Sequence, residues 1–371
     1  MKILILNWRD INNPESGGAE VLTHEMAKRW VKSGHEVTQF SAKFFGAPEQ
    51  EIIDGVQVIR FGSASIYRSV GIPVHIAAYV WYQRQQKGRF DLVIDEIHGI
   101  PFFTPWYVRG KKVAFICEVA DKIWNVAFSF PLNFIGPVVE RYYFHFYRDM
   151  PFLTISPSTK TDLLQMGIQE QNITVLPMGL NVPQRMPRYP KEKFFTLIFV
   201  GRLTKAKGIE DALDVLVHLK KIYPKIRLWV VGQGNLDYIQ QITNIAQQLK
   251  VKDCVQFFGF VSQERKFELM SRAHLLIAPS LKEGWGLTVP EAGYVGTPTV
   301  AYNVEGLRDV VVQDKTGLLT QATPEQMSQT IIKLFRNKHM YRKLQMGAQK
   351  IARTYSWDQT AKVALSKLQL T

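Results

Sequence analysis

Cysteine is nearly missing from this chain of 371 residues: Cys117 and Cys254 are the only two, they lie far apart, and neither belongs to a CxxC pair. A disulfide framework and a zinc ribbon are thereby excluded, and a reducing cytoplasm is the compartment that fits. Long apolar runs are missing too. The stretches 3–6, 197–200 and 275–278 fall far short of the roughly 20 residues that a membrane-spanning helix needs. The opening Met-Lys-Ile-Leu-Ile-Leu-Asn carries one basic residue and a shorter apolar run than the about 7 to 15 residues of a secretory segment, so it reads as a first buried strand. There is no Asp-x-Asp pair to hold a metal, no internal repeat and no low-complexity tract.

Charge, by contrast, is plentiful and lopsided. Residues 1–186 hold 19 Lys and Arg against 17 Asp and Glu, while the remainder holds 27 against 15. That asymmetry points to an anionic ligand or an anionic membrane surface near the second half, with a plain solvated basic surface as the competing reading. A nucleic-acid partner is not expected, because no base-reading motif with interleaved aromatics is present.

Both halves alternate short β-branched runs with helical patterns, the signature of parallel sheets covered by helices. Strands are expected at 2–7, 36–41, 56–61, 92–96, 113–117, 153–156 and 174–176, then at 196–200, 227–231, 255–258, 275–278 and 299–302. Val182-Pro-Gln-Arg-Met-Pro-Arg-Tyr-Pro190, with three prolines and no periodicity, marks a linker. The expected fold class is therefore α/β, with two facing Rossmann-like, doubly wound domains, 1–183 and 190–355, and a helical tail that includes 356–371. Such sheets bind ligands at the carboxyl ends of their strands, which is where the motifs fall.

In the first domain, the 3–7 strand leads to Ser16-Gly17-Gly18-Ala19-Glu20 and directly into a helix. Gly17 and Gly18 let backbone approach a ligand at a helix N-terminus, although an ordinary turn reads the same way. In the second domain, Gly201-Arg202-Leu-Thr-Lys-Ala-Lys207-Gly208 follows a strand and opens a helix. Arg202 offers a planar fork and Lys207 a point charge, an arrangement suited to pyrophosphate. The Gly-x-x-x-x-Gly-Lys-Ser/Thr spacing of a P-loop is missing. Gly232, and Phe260 with Val261 after Gly259, end two further strands where a flat base can lie against backbone. The most specific segment is Glu283-Gly-Trp-Gly286-Leu287-Thr288-Val-Pro290-Glu291. Glu283 sits in a loop and Glu291 in a first helical turn. Glu291 suits paired ribose hydroxyls, or else simply complements the helix dipole. Backbone N–H groups of Gly286, Leu287 and Thr288 suit phosphate oxygens.

Together, Gly17 to Glu20, Gly201-Arg202 with Lys207-Gly208, and Glu283 to Glu291 resemble the retaining nucleotide-sugar glycosyltransferases of family 4, which have the GT-B fold, over essentially the whole chain. The resemblance implies that Glu291 binds the donor ribose and that Glu283 lies beside the transferred sugar. It assigns the diphosphate to Arg202 and Lys207, and the glycine-rich loop to Gly17 and Gly18. It also implies that the helix around Ser356-Trp357-Asp358 crosses back to the first domain. One departure stands out. Many members carry a histidine after the strand matching 113–117, where this chain has Cys117, so Glu118, Asp121 or a backbone carbonyl is expected to share its role. His98 is read as a loop residue with a satisfied ring.

The implied function is transfer of a sugar, with retention, from a UDP, GDP or ADP sugar to a saccharide or lipid-linked acceptor in polysaccharide or glycoconjugate synthesis. Catalysis is expected to rest on Glu283, Arg202 and Lys207, with no cofactor and no metal, since fixed cations neutralise the leaving group. The expected site is cytoplasmic, with peripheral contact at an anionic inner membrane face left open. A nucleotide-sugar epimerase or phosphorylase on the same fold is the first rival, and the glutamate spacing argues against both. A basic non-enzymatic binding protein, suggested by net charge alone, is the second.

Overall fold

The computed structural model describes the chain apart from residues 64–72, 87, 121–123, 125–129, 186, 188 and 371, and apart from the side chains of 85, 86, 132, 369 and 370. The chain divides into two compact units. One comprises Met1–Trp124, Phe130–Gly179 and Ser356–Thr371, and the other is built on Leu180–Tyr355.

The first unit is an eight-stranded sheet. Its strands are β1 (Lys2–Leu6), β2 (Glu36–Ser41), β3 (Gln50–Ile53), β4 (Val56–Arg60), β5 (Leu92–Ile97), β6 (Lys111–Ile116), β7 (Phe152–Thr154) and β8 (Ile173–Val175). Their order is β3-β4-β2-β1-β5-β6-β7-β8. All neighbours run parallel except β3 and β4, and β1 and β5 read as near-continuous buried runs, as a sheet covered on both faces requires. β3 is not among the strands expected from the sequence. It pairs with β4 through Asp54 and Gly55, both at positive φ, the two-residue turn that matches the twist of a hairpin.

The second unit is a six-stranded parallel sheet of β9 (Thr196–Val200), β10 (Arg227–Val231), β11 (Val255–Gly259), β12 (Leu275–Ala278), β13 (Thr299–Tyr302) and β14 (Gly317–Thr320). Its order is β11-β10-β9-β12-β13-β14. β14 is also unexpected: Gly317 opens it because a Cβ there would stand 2.3 Å from the Thr299 carbonyl oxygen of β13. In each sheet the connections reverse direction beside the central strands, between β1 and β5 and between β9 and β12. These are the switch points where such sheets bind ligands.

The last helix, Trp357–Leu370, returns to the first unit. Trp357 lies so close over Gly179 that a Cβ would stand 2.1 Å from its ring, and the Trp30 indole N–H donates to the Ala361 carbonyl at 3.0 Å. The aromatic clusters are shared between interior and surface: Phe102, Tyr143, Phe144 and Tyr147 are buried, whereas Trp106 and Tyr142 are exposed.

Candidate active site

In the second unit, the loops after β9 and β12 are locked together. Gly208 adopts φ +70°, and a Cβ there would stand 2.0 Å from the Pro279 carbonyl oxygen. Leu281 N–H donates to the Ala206 carbonyl at 2.9 Å, and Glu283 N–H to the Glu305 carbonyl at 3.2 Å. Gly306, at φ +77°, packs so tightly under Glu283 that a Cβ would stand 2.0 Å from its carbonyl oxygen. Gly306 carries no signal in the sequence, since its role depends on a neighbour 23 residues earlier in the chain. The result brings two expected residues into contact: Lys207 Nζ lies 2.7 Å from Glu283 Oε2, while Ser280 Oγ donates to Glu283 Oε1 at 2.8 Å. Arg202 is exposed, with no ion pair or hydrogen bond among the described residues.

The ends of β9, β10 and β11 form a second locked edge. Gly201 N–H donates to Val231 and Gly232 N–H to Gly259, and a Cβ at Gly232 would stand 1.9 Å from the Gly201 carbonyl oxygen. Beyond Gly259, Phe260 is 78% exposed and Val261 half-buried. Glu291 lies in the helix Thr288–Tyr294, after Gly286 at φ +90°, and is buried. Its Oε1 is 2.6 Å from Lys266 Nζ, on the helix Gln263–Arg272, and its Oε2 is buried without a hydrogen-bond partner among the described residues. Lys266 is not among the residues that the sequence singles out. Leu287 precedes the helix and Thr288 opens it.

The first unit presents a different edge. Gly17 caps the helix Gly18–Lys32, but its N–H is taken by Glu20 Oε2 at 2.7 Å, and the Trp8 indole donates to Glu20 Oε1 at 3.1 Å. The Gly17 N–H at this helix start is thus taken by the chain's own carboxylate. Behind it, Glu96 is buried and accepts from Asn7 Nδ2 at 2.7 Å and Thr23 Oγ1 at 2.8 Å. His98 Nε2 lies 3.1 Å from Glu96 Oε1, and its ring stacks on Trp8 at 5.2 Å. Burial alone would depress the His98 pKa, yet the hydrogen bond and charge of Glu96, with the charges of Glu20 and Glu118, hold it above the ordinary value. β5 and β6 pair Ile97 with Ile116, so the residues that follow them, His98 and Cys117, leave the sheet at the same level. Burial pushes the Cys117 thiol well up, which keeps it protonated. Glu118 is half-buried, and Asp121 lies outside the described residues.

Residues 16–183 match the family Glycosyltransferase Family 4, and residues 183–351 match Glycosyl transferases group 1. The chain belongs to the family 4-type glycosyltransferases. It is 24% identical to an uncharacterized glycosyltransferase of Methanocaldococcus jannaschii, over 98% of this chain and 96% of that one. Among solved structures it is similar to sucrose-phosphate synthase from Thermosynechococcus elongatus, with a TM-score of 0.81 and 18% identity over 100% and 98% of the two chains. It is also similar to Anabaena HepE in complex with UDP and glucose, with a TM-score of 0.75 and 18% identity over the full length of both. These neighbours carry the GT-B fold, and this glycosyltransferase shares it. Among its described residues no helix is long and apolar enough to cross a membrane.

Proposed function

We propose that this glycosyltransferase takes its sugar from a uridine-diphosphate donor bound to the second unit. In this reading it transfers the sugar with retention and without a metal ion to a saccharide or lipid-linked acceptor on the cytoplasmic side of a membrane, in polysaccharide or glycoconjugate synthesis. One observation carries the reading. Each carboxylate of the glutamate pair is held by a lysine, yet Glu291 keeps one buried oxygen without a partner among the described residues. A buried carboxylate oxygen lacking a donor is costly, and a ribose hydroxyl supplies the donor it lacks. The uridine reading draws on HepE, whose structure holds UDP, and on Phe260, an exposed ring at a strand end available for stacking.

Chemistry follows from charge. As the bond between the sugar's anomeric carbon and the diphosphate breaks, its electron pair stays on the departing oxygen, and Arg202 and Lys207 neutralise it. The acceptor hydroxyl bonds to the same carbon, and its O–H bond breaks with the proton passing to the departing diphosphate oxygen. Because Lys207 is paired with Glu283 before the donor arrives, the diphosphate competes for the lysine and frees Glu283 for a sugar hydroxyl. In the first unit, His98 takes the hydrogen-bonding role that a protonated Cys117 thiol fills poorly.

Calorimetry with Glu291→Gln tests the central assignment. A lost hydrogen bond to a charged group is worth about 1.5–3 kcal/mol, so UDP affinity should fall roughly ten- to a hundredfold, and the preference for UDP over 2′-deoxy-UDP should vanish. Unchanged affinity would refute the ribose role. Transfer from labelled UDP-sugar should survive chelation by EDTA, and its loss would end the metal-free reading.

A further inference from the structure

The helix Leu132–Phe144 of the first unit is apolar on two sides. One side enters the core: Tyr143 and Phe144 are buried with Ile116, Tyr147 and Phe152. The other faces outward. Phe134, Ile135, Val138, Val139 and Tyr142 recur at helical spacing along one stripe and are all exposed, Phe134 by 72% and Val138 by 61%, with Phe130 at 82% just before the helix. A helix with apolar stripes on two sides needs an apolar partner for each, and this one has a core on one side only.

Its borders say which phase. Tyr142 and the exposed Trp106 both pack edge-on against Phe146, at 5.6 and 5.1 Å. Phe146 in turn lines a groove of about 370 Å³ with Lys111 and Lys112, where Asp149 is the acid. Arg141 and His145 flank the stripe and Arg148 follows, all exposed. Apolar stripe, aromatic ring and cations therefore form one continuous surface.

We infer that this surface docks the enzyme on an anionic lipid bilayer. The stripe enters the boundary between headgroups and acyl chains, Trp106 and Tyr142 sit at headgroup depth, and Lys111 and Arg141 meet lipid phosphates. A second copy of the chain is the rival occupant. Symmetric pairing would set Lys111, Arg141 and Arg148 against the same cations, which disfavours it. The inference does not depend on the donor assignment, and it places the contact on the near-neutral half of the chain rather than on the basic half.

The test is sedimentation of the full chain with vesicles of phosphatidylcholine alone and of an equal mixture with phosphatidylglycerol. The wild type should bind the mixed vesicles and not the neutral ones. Phe134→Gln with Val138→Gln leaves net charge unchanged and should weaken binding by about tenfold or more. Lys111→Gln should weaken it about fivefold, in proportion to roughly 1 kcal/mol for each cation at the surface. Arg342→Gln, an exposed cation of the second unit, is the control and should change little. An unaltered thermal unfolding midpoint in each variant would show that the fold is intact. Binding that survives the double Gln substitution overturns the inference, as does equal binding to both vesicles. Self-association that disappears in the double variant, with no vesicle binding by the wild type, assigns the face to a second copy instead.

Discussion

At the switch point of the first sheet, the ends of β1 and β5 present Trp8, Glu96 and His98; at that of the second, the ends of β9 and β12 present Arg202, Lys207 and Glu283. Topology is shared and chemistry is not. The first edge is a buried carboxylate, Glu96, held by Asn7 and Thr23, with the His98 imidazole stacked on Trp8 as its outer member. The second edge carries cations, one of them free in solvent among the described residues and the other paired with an acid that a ligand can displace. A sheet edge of the first kind is set up to hold neutral hydroxyl groups in a fixed direction, and one of the second kind to receive an anion.

The largest expected effect attacks that difference at Lys207. Lys207→Met leaves Glu283 without its lysine partner and, on the proposed function, removes a fixed positive charge from the leaving group. By analogy with removal of one donor from a charge-stabilising site, kcat should fall about a hundred- to a thousandfold. A thermal unfolding midpoint close to wild type would show that the loss is chemical. Steady-state transfer assays that find less than a tenfold change would mean that the second edge binds anions without serving catalysis.

Much of the second edge is legible in the amino-acid sequence, because its signals are local: Glu283 and Glu291 lie eight positions apart, and Arg202 and Lys207 follow one strand. What stays hidden depends on partners distant along the chain. Lys266 acquires meaning only against Glu291, and Gly306 only against the Glu283 carbonyl. The first edge is less legible for the same reason. His98 looks like any loop histidine until Glu96, Trp8 and the register of β5 against β6 are known, and the Gly17 cap looks open until Glu20 is seen to fill it. In the fold, β3 escapes notice although Asp54-Gly55 between two apolar residues is a hairpin signal, and β14 escapes because its glycine start lacks strand propensity.

A smaller effect should sharpen the role of the first edge. His98→Gln keeps a hydrogen-bonding group but loses the ionisable ring, so kcat should drop roughly ten- to a hundredfold while UDP affinity, which the proposed function assigns to the second unit, stays at the wild-type value. Glu96→Gln should act through His98, lowering its pKa by removing the carboxylate that raises it, and should move the acidic limb of the kcat profile downward in pH. A parallel loss of UDP affinity in His98→Gln would break the division of labour between the two edges.

The smallest effect separates the units by pH. Each holds a half-buried histidine whose pKa desolvation depresses to about 4: His75, which donates to the Ile100 carbonyl, and His274, also lowered by the Lys191 charge and accepting from the Thr196 N–H at Nδ1. Unfolded, both titrate near 6.5, so between about pH 4 and 6.5 the unfolded chain binds protons that the native one lacks. Stability must rise with pH across that window and fall on acidification, in both units. Among the described residues, only the second unit adds Lys191, whose Nζ donates to the Ala273 carbonyl and Thr297 Oγ1 and whose pKa desolvation lowers to about 7 from 10.5. The same sign applies: from about pH 7 to 10.5 the unfolded lysine is protonated and the native one is not, so the second unit should gain stability there. Urea unfolding midpoints of the wild type and of Lys191→Met, compared across that range, decide the point. The wild-type midpoint should climb relative to the variant, and two parallel curves would mean that Lys191 keeps its proton through its two hydrogen bonds.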